Sequence, residues 1–184
     1  MRIKRTLIPT VCGRLRPRRI KVFTTGGSID KVYSTRESTF VVGEPQSDSI
    51  LRDANVNFEY EIESLLKKDS LDLTDEDRQT ILDRVRADPH RHVVITHGTD
   101  TMALTARTLY EITDKVIVLT GAMQPAAFRQ TDAAFNVGGA IIAVQTLPEG
   151  VYIVMNGRVF DPRRVRKNQE QDKFEETSQS EVPS

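Results

Sequence analysis

Four short apolar or β-branched runs constrain this chain more than any other feature: Ile20-Lys21-Val22-Phe23-Thr24, Val93-Val94-Ile95-Thr96, Val116–Thr120 and Val151-Tyr152-Ile153-Val154-Met155. Each is nearly continuous rather than alternating, as a strand covered on both faces requires. Between the last three lie single segments of helical spacing. Thr101 to Thr113 carries Met102, Ala106, Leu109 and Ile112; Asp132 to Thr146 carries Phe135, Val137, Ile141, Ile142 and Val144. Strands separated by single helices predict an α/β fold: a three-layer, doubly wound, mainly parallel sheet with helices on both faces. Ligands of such sheets bind beyond the carboxyl ends of the strands, so the turns that follow the runs are where chemistry is expected.

The remaining segments are less regular. Ser28 to Pro45 lacks a helical period and reads as a loop or loose hairpin, and Gln46 to Asp53 as a short helix. Phe58 to Ile62 alternates and reads as a strand, and Leu65 to Leu73 as a second loop. Thr74, followed by Asp75, Glu76 and Asp77, is a hydroxyl cap with acids in the first turn. Ile81, Leu82 and Val85 face inward on that helix, and Pro89 closes it.

A length of 184 residues suits one domain with tails. Twenty-six Lys+Arg against 26 Asp+Glu leave no formal charge, which argues against a nucleic-acid binder. The balance hides a gradient. No acidic residue precedes Asp30, and residues 1–19 form a basic extension. Its composition fits either an organelle presequence or a start codon set too far upstream. Residues 168–184 read as a polar, acidic tail. Cys12 is the single cysteine, so no disulfide within the chain is possible, and a reducing, cytoplasmic setting is expected. No run approaches a membrane span. No Cys/His/Asp/Glu grouping has metal-ligand spacing, and Gly26-Gly27-Ser28 lacks the lysine and length of a phosphate loop. Neither metal nor cofactor is expected.

The turn Gly98-Thr99-Asp100 offers a hydroxyl, a carboxylate and the free N–H groups of a helix start. Simple capping by Asp100 and Thr101 would account for the same residues. Ser28 follows two glycines at the end of the first run, where a ligand can approach the backbone. A serine bonding its own turn would look alike.

Taken together, Thr25-Gly26-Gly27-Ser28-Ile29, His97-Gly98-Thr99-Asp100-Thr101-Met102 and Leu119-Thr120-Gly121-Ala122-Met123-Gln124-Pro125 resemble the three signature turns of the asparaginase/glutaminase family, the threonine-dependent bacterial type. Asp132 to Asn136 and Met155-Asn156-Gly157 continue the match in order. The resemblance covers residues 20–167 and implies that family's N-terminal domain fold, acting on L-asparagine or L-glutamine. It implies that Ser28 stands at the position of the threonine nucleophile, with its hydroxyl kept and its methyl lost. Thr99, Lys167 and Asp100 would form the proton-handling group. Ser70 and Asp100 would bind the α-carboxylate and α-ammonium of the substrate, and Ala122 would floor the pocket. Lys167 could equally be one more charge in the run Arg163 to Lys167, Ser70 a loop serine, and Ala122 a small residue in a tight turn. The chain departs from the family where a loop tyrosine is usual: Phe40 falls there, with Tyr33 in the same loop. The family's smaller C-terminal domain has no counterpart, so a short form or a truncated product is expected. Self-association into a homo-oligomer is implied as well.

Overall fold

The computed structural model describes residues 19–177; the basic extension before Arg19 and the last seven residues of the expected tail lie outside them. In chain order the elements are β1 (Ile20–Gly26), β2 (Lys31–Ser34), β3 (Thr39–Val42), α1 (Ser47–Asp53), β4 (Tyr60–Lys68), α2 (Asp75–Ala87), β5 (His92–Thr96) and α3 (Met102–Thr108), then β6 (Val116–Thr120), α4 (Ala133–Thr146), β7 (Gly150–Met155), β8 (Arg158–Phe160), β9 (Val165–Asn168) and β10 (Lys173–Glu176). The main sheet runs β4-β1-β5-β6-β7-β8. All its neighbouring pairs are parallel except β7 with β8.

The four sequence runs become β1, β5, β6 and β7, and their side chains divide between two cores. Phe23, Ile95, Ile117, Leu119 and Ile153 pack under α2 and α3, against Ile81, Leu82, Val85, Met102 and Leu109. Val22, Val94, Val118 and Val154 pack under α1 and α4, against Leu51, Val137, Ala140, Ile141 and Val144. Burying each such side chain contributes roughly 1.5–3 kcal/mol. Within α4, Phe135 and Ile142 point away from the core and are about two-thirds exposed, at 66% and 63%. At the amino-terminal edge of the sheet, buried Lys21 bonds Glu61 at 2.6 Å and Glu63 at 2.9 Å.

Several boundaries differ from the sequence reading. β4 runs on to Lys68 instead of stopping at Ile62, because it slips past β1 through a bulge between Thr24 and Gly26. The adjacent Leu65 and Leu66, both packed against the core, break the alternation that marked its start. The helix expected to reach Thr113 tightens after Thr108 into a 3-10 turn. There Arg107 donates to the Pro162 carbonyl and Tyr110 to Asp161, drawing the helix end onto the segment after β8. β8 has no counterpart in the sequence reading; Asn156 and Gly157, both at positive φ, make the two-residue turn that leads into it. The stretch after Asn168, expected as tail, instead pairs Lys173–Glu176 antiparallel with β9, anchored by buried Phe174 beside Phe160.

The Thr74 expectation holds as a full capping box: its hydroxyl accepts from the Asp77 N–H, and Asp77 accepts from the Thr74 N–H. Thr74→Ala is expected to cost about 1 kcal/mol and to lower the melting temperature by roughly 2–4 °C in a chain of this size, as a thermal melt would read directly.

Candidate active site

The parallel strands place the chain's reversal between β1 and β5, since β4 lies on one side of β1 and β5 to β7 on the other. The turns after β1 and β5 therefore open into one crevice. They meet backbone to backbone. A Cβ on Gly27 would lie 2.3 Å from the Gly98 Cα, and one on Gly98 would lie 2.6 Å from Ser70 Oγ. Gly27, at φ +86, donates to the Lys68 carbonyl at 2.9 Å. Three segments, 26–28, 68–70 and 97–99, are locked together by contacts that no larger residue would permit.

Ser28 opens a short 3-10 turn, Ser28–Asp30, and is half-buried. Ser70 is 1% exposed and its hydroxyl has no partner. Buried hydroxyls are ordinarily bonded, so a free one beside Gly98 suits ligand contact. Thr101 Oγ1 donates to the Ser70 carbonyl at 2.7 Å and ties that loop to the start of α3. The third turn closes on the first, as Ala126 N–H donates to the Ile29 carbonyl at 3.1 Å. Ala122 in that turn is buried against the α4 side of the sheet.

Lys167 reaches the same crevice from the far end of the sequence. Its Nζ donates to Thr99 Oγ1 at 2.8 Å and to Asp100 Oδ1 at 2.9 Å. The ion pair is largely shielded, with the lysine side chain 15% and the aspartate 25% exposed. Thr99, Asp100 and Lys167 are thus in direct contact, and Ser28 follows the glycine that packs on Gly98. Tyr33 and Phe40 pair across the β2–β3 hairpin, and Phe40 packs edge-on against Phe128.

What seats Lys167 has no signal in the sequence reading. Asp132 accepts from the N–H groups of Met123 and Gln124 and from the Asn136 amide. Asn136 also donates to the Gly121 carbonyl and accepts from the Asn156 N–H. Asn156 then accepts from the Phe174 N–H, and Phe174 pairs with Lys167. This polar chain runs from the third turn to the lysine strand. Most of its members lie in the quoted motifs, but nothing in one dimension shows that they join.

Two titratable groups are held neutral-leaning by burial. His97 lies wholly inside, and burial pushes its imidazole down to about 4. Asp30 is 1% exposed, and burial pushes its carboxyl up to about 6, offset by the Gln46 N–H it accepts at 2.8 Å and by nearby Lys67. Asp30 thereby clamps the base of the β2–β3 hairpin; its own carbonyl accepts from Gly43. Among the described residues no group of three or more His, Cys, Asp or Glu side chains is placed to hold a metal ion, and no helix is long and apolar enough to cross a membrane.

These features define a doubly wound α/β domain whose candidate site lies at the carboxyl edge of its sheet, where hydroxyls and one shielded lysine–aspartate pair are gathered. The chain belongs to the asparaginase family: the family model described as "Asparaginase, N-terminal" matches residues 19–182. It is 33% identical over 164 residues to L-asparaginase 2 of Escherichia coli (strain K12), covering 80% of this chain and 46% of that protein. It is 42% identical over 71 residues to a glutamyl-tRNA(Gln) amidotransferase subunit of Methanococcus vannielii, covering 38% of this chain and 17% of that one. The thermostable L-asparaginase from Thermococcus kodakarensis superposes with a TM-score of 0.74 at 28% identity, over 86% of this chain and 51% of that one. The chain therefore spans about half the length of these L-asparaginases.

Because the folded Asp30 holds its proton to about pH 6 and a free aspartate to about 3.8, the native state binds the extra proton between those values. Stability then falls as pH rises through that window, by about 3 kcal/mol in full. Asp30→Asn, which keeps an acceptor for Gln46, is expected to melt several degrees above the parent chain at about pH 8, with the gap closing near pH 4. Parallel melts at the two pH values check it.

Proposed function

We propose that the chain is an asparaginase-like amidohydrolase that converts the side-chain amide of L-asparagine, with L-glutamine as the alternative substrate, to the acid and ammonia. The observation that carries the reading is Lys167 Nζ shared between Thr99 Oγ1 and Asp100 Oδ1, on the turn packed against the glycine before Ser28. The Ser28 oxygen attacks the amide carbon, and its proton leaves with the amide nitrogen as the C–N bond breaks. The Thr99–Lys167–Asp100 group carries that proton. Backbone N–H groups of the glycine turns hold the oxyanion. Water then cleaves the serine ester to return the free hydroxyl and the acid product. Asp100 receives the substrate's α-ammonium, the free Ser70 hydroxyl its α-carboxylate, and Ala122 backs the amide.

Membership of the family and the superposition on L-asparaginases support this reading. A second reading is favoured by the local likeness to an amidotransferase subunit and by the exposed apolar residues Phe135 and Ile142 on α4: an amino-acid-binding or amidotransferase-type subunit that works with a partner. A homo-oligomer and a cytoplasmic setting belong to the first reading.

Purified chain is expected to release ammonia from L-asparagine, and Ser28→Ala to lower that release by at least roughly 10³-fold. Lys167→Met is expected to lose activity on a similar scale. Equal release by parent and Ser28→Ala would remove Ser28 from the mechanism. Calorimetric binding of L-asparagine without any release would favour the second reading.

A further inference from the structure

The loop that leaves the third turn, residues 124–131, is firmly held for an exposed segment. Asp132 accepts from the Met123 and Gln124 N–H groups, Thr131 Oγ1 donates to the Gln124 carbonyl at 3.0 Å, and the Phe128 N–H donates to the Pro125 carbonyl at 3.0 Å. Its base is tied to the residue after Ser28, since Ala126 donates to the Ile29 carbonyl. The side chains that this backbone displays are left open. Gln124, Ala127, Phe128, Arg129 and Gln130 line one open hollow. Among the described residues no hydrogen bond reaches the side chains of Gln124, Arg129 or Gln130, and no carboxylate pairs with Arg129. Exposed arginines elsewhere differ: Arg91, Arg158 and Arg163 each sit on a carboxylate.

An aromatic ledge adjoins this hollow. Phe128 meets Phe40 edge-on with ring centroids 5.5 Å apart, and Phe40 meets Tyr33 in the same way at 5.5 Å. Pinning the β2–β3 hairpin to the loop accounts for these contacts, yet it leaves Tyr33 57%, Phe40 45% and Phe128 38% exposed. Three joined rings open to water, with an unpaired guanidinium on the next residue, match a molecule that is apolar along its length and anionic at one end. A backbone already fixed at several points lets such a molecule bind without ordering the loop.

The chain relates this surface to the reacting bond. In the proposed reaction the glycine turns take the amide oxygen and Ala122 backs the amide, which leaves the nitrogen toward the third turn. Gln124 stands two residues beyond Ala122, at most about 7 Å of backbone. We infer that residues 124–130 form a leaving-group subsite, so that the site also takes N-substituted substrates: β-aspartyl dipeptides whose second residue is apolar or aromatic. The carboxylate of that residue sits on Arg129 and the Gln124 and Gln130 amides, and its side chain on Phe128. This rests on the amide-hydrolase reading. The bond changes stay the same: the Ser28 oxygen bonds the side-chain carbonyl carbon as the C–N bond breaks, and the nitrogen takes the Ser28 proton and departs as a free amino acid in place of ammonia. Water then cleaves the ester to L-aspartate and the Ser28 hydroxyl.

Calorimetry on Ser28→Ala, which leaves the amide uncut, reads binding alone. L-β-aspartyl-L-phenylalanine is expected to bind roughly 10–100-fold more tightly than L-β-aspartyl-L-phenylalaninamide, the range for hydrogen bonds to a charged group. In the same background Arg129→Gln is expected to abolish that preference, and Arg129→Lys, which keeps the charge without the planar fork, to retain part of it. Phe128→Ala is expected to weaken both dipeptides and to spare the preference, because it removes the ring and leaves the cation. An acid bound no better than its amide overturns the proposal, as does a preference that survives Arg129→Gln.

Turnover by the parent chain fixes which side of the bond the loop serves. L-phenylalanine and L-aspartate should appear in equal amounts from the dipeptide. Ammonia from L-asparagine together with dipeptide binding but no released phenylalanine overturns the leaving-group assignment. Ammonia from L-asparagine with neither dipeptide bound overturns the subsite and leaves the hydrolase reading standing. If neither L-asparagine nor the dipeptide is cleaved while the Arg129-dependent preference is present, the hydrolase reading fails by itself, and recognition of the carboxylate by the loop is supported.

Discussion

Two glycines in contact, Gly27 and Gly98, set the geometry on which the crevice depends. The sheet's reversal between β1 and β5 brings the ends of these neighbouring strands together, but only residues without a Cβ let the two turns touch and leave room for Ser70 beneath. The glycines before Ser28 and Thr99 are thereby in contact, though the two hydroxyl residues stand 71 positions apart in the chain. The approach is enforced by strand pairing, so no flexible loop is needed to hold it.

The second constraint is the delivery of Lys167. It stands in a small antiparallel pair outside the main sheet, and its ammonium is kept in place by its own bonds and by the backbone behind it. The Asp132–Asn136–Asn156–Phe174 chain ties that backbone to the turn carrying Ala122. Phe174 adds an apolar anchor next to Phe160. The hydrogen-bonded path and the aromatic contact together place one flexible side chain whose ordering costs about 1.5–2 kcal/mol of rotamer entropy.

Buried titratable groups cluster at this end of the sheet, where burial disfavours the charged forms of both His97 and Asp30. Each grips backbone on one side of the crevice: His97 the Gly98–Thr99 peptide, Asp30 the base of the hairpin that follows Ser28. Groups that work against stability yet organise a site are what functional surfaces accumulate. The opposite edge of the sheet differs: there Lys21 is buried but matched by carboxylates.

The sequence by itself determined the strand–helix alternation, the two-sided burial of four strands, the capped start of α2 and the order of the glycine turns, because these are local patterns of period, cap and turn residue. It also holds a hairpin signal, Asn156-Gly157, which marks the turn into β8 but reads first as part of a longer motif. Tertiary structure alone decided the length of β4, where a bulge and the Leu65–Leu66 pair defeat the alternation, and the strand at Lys173–Glu176, where acidic residues look like a solvated tail until Phe174 packs beside Phe160. It alone decided the meeting of Lys167 with Thr99 and Asp100. Contacts across 67 or 68 residues arise from strand order and packing, which no local run of side chains encodes.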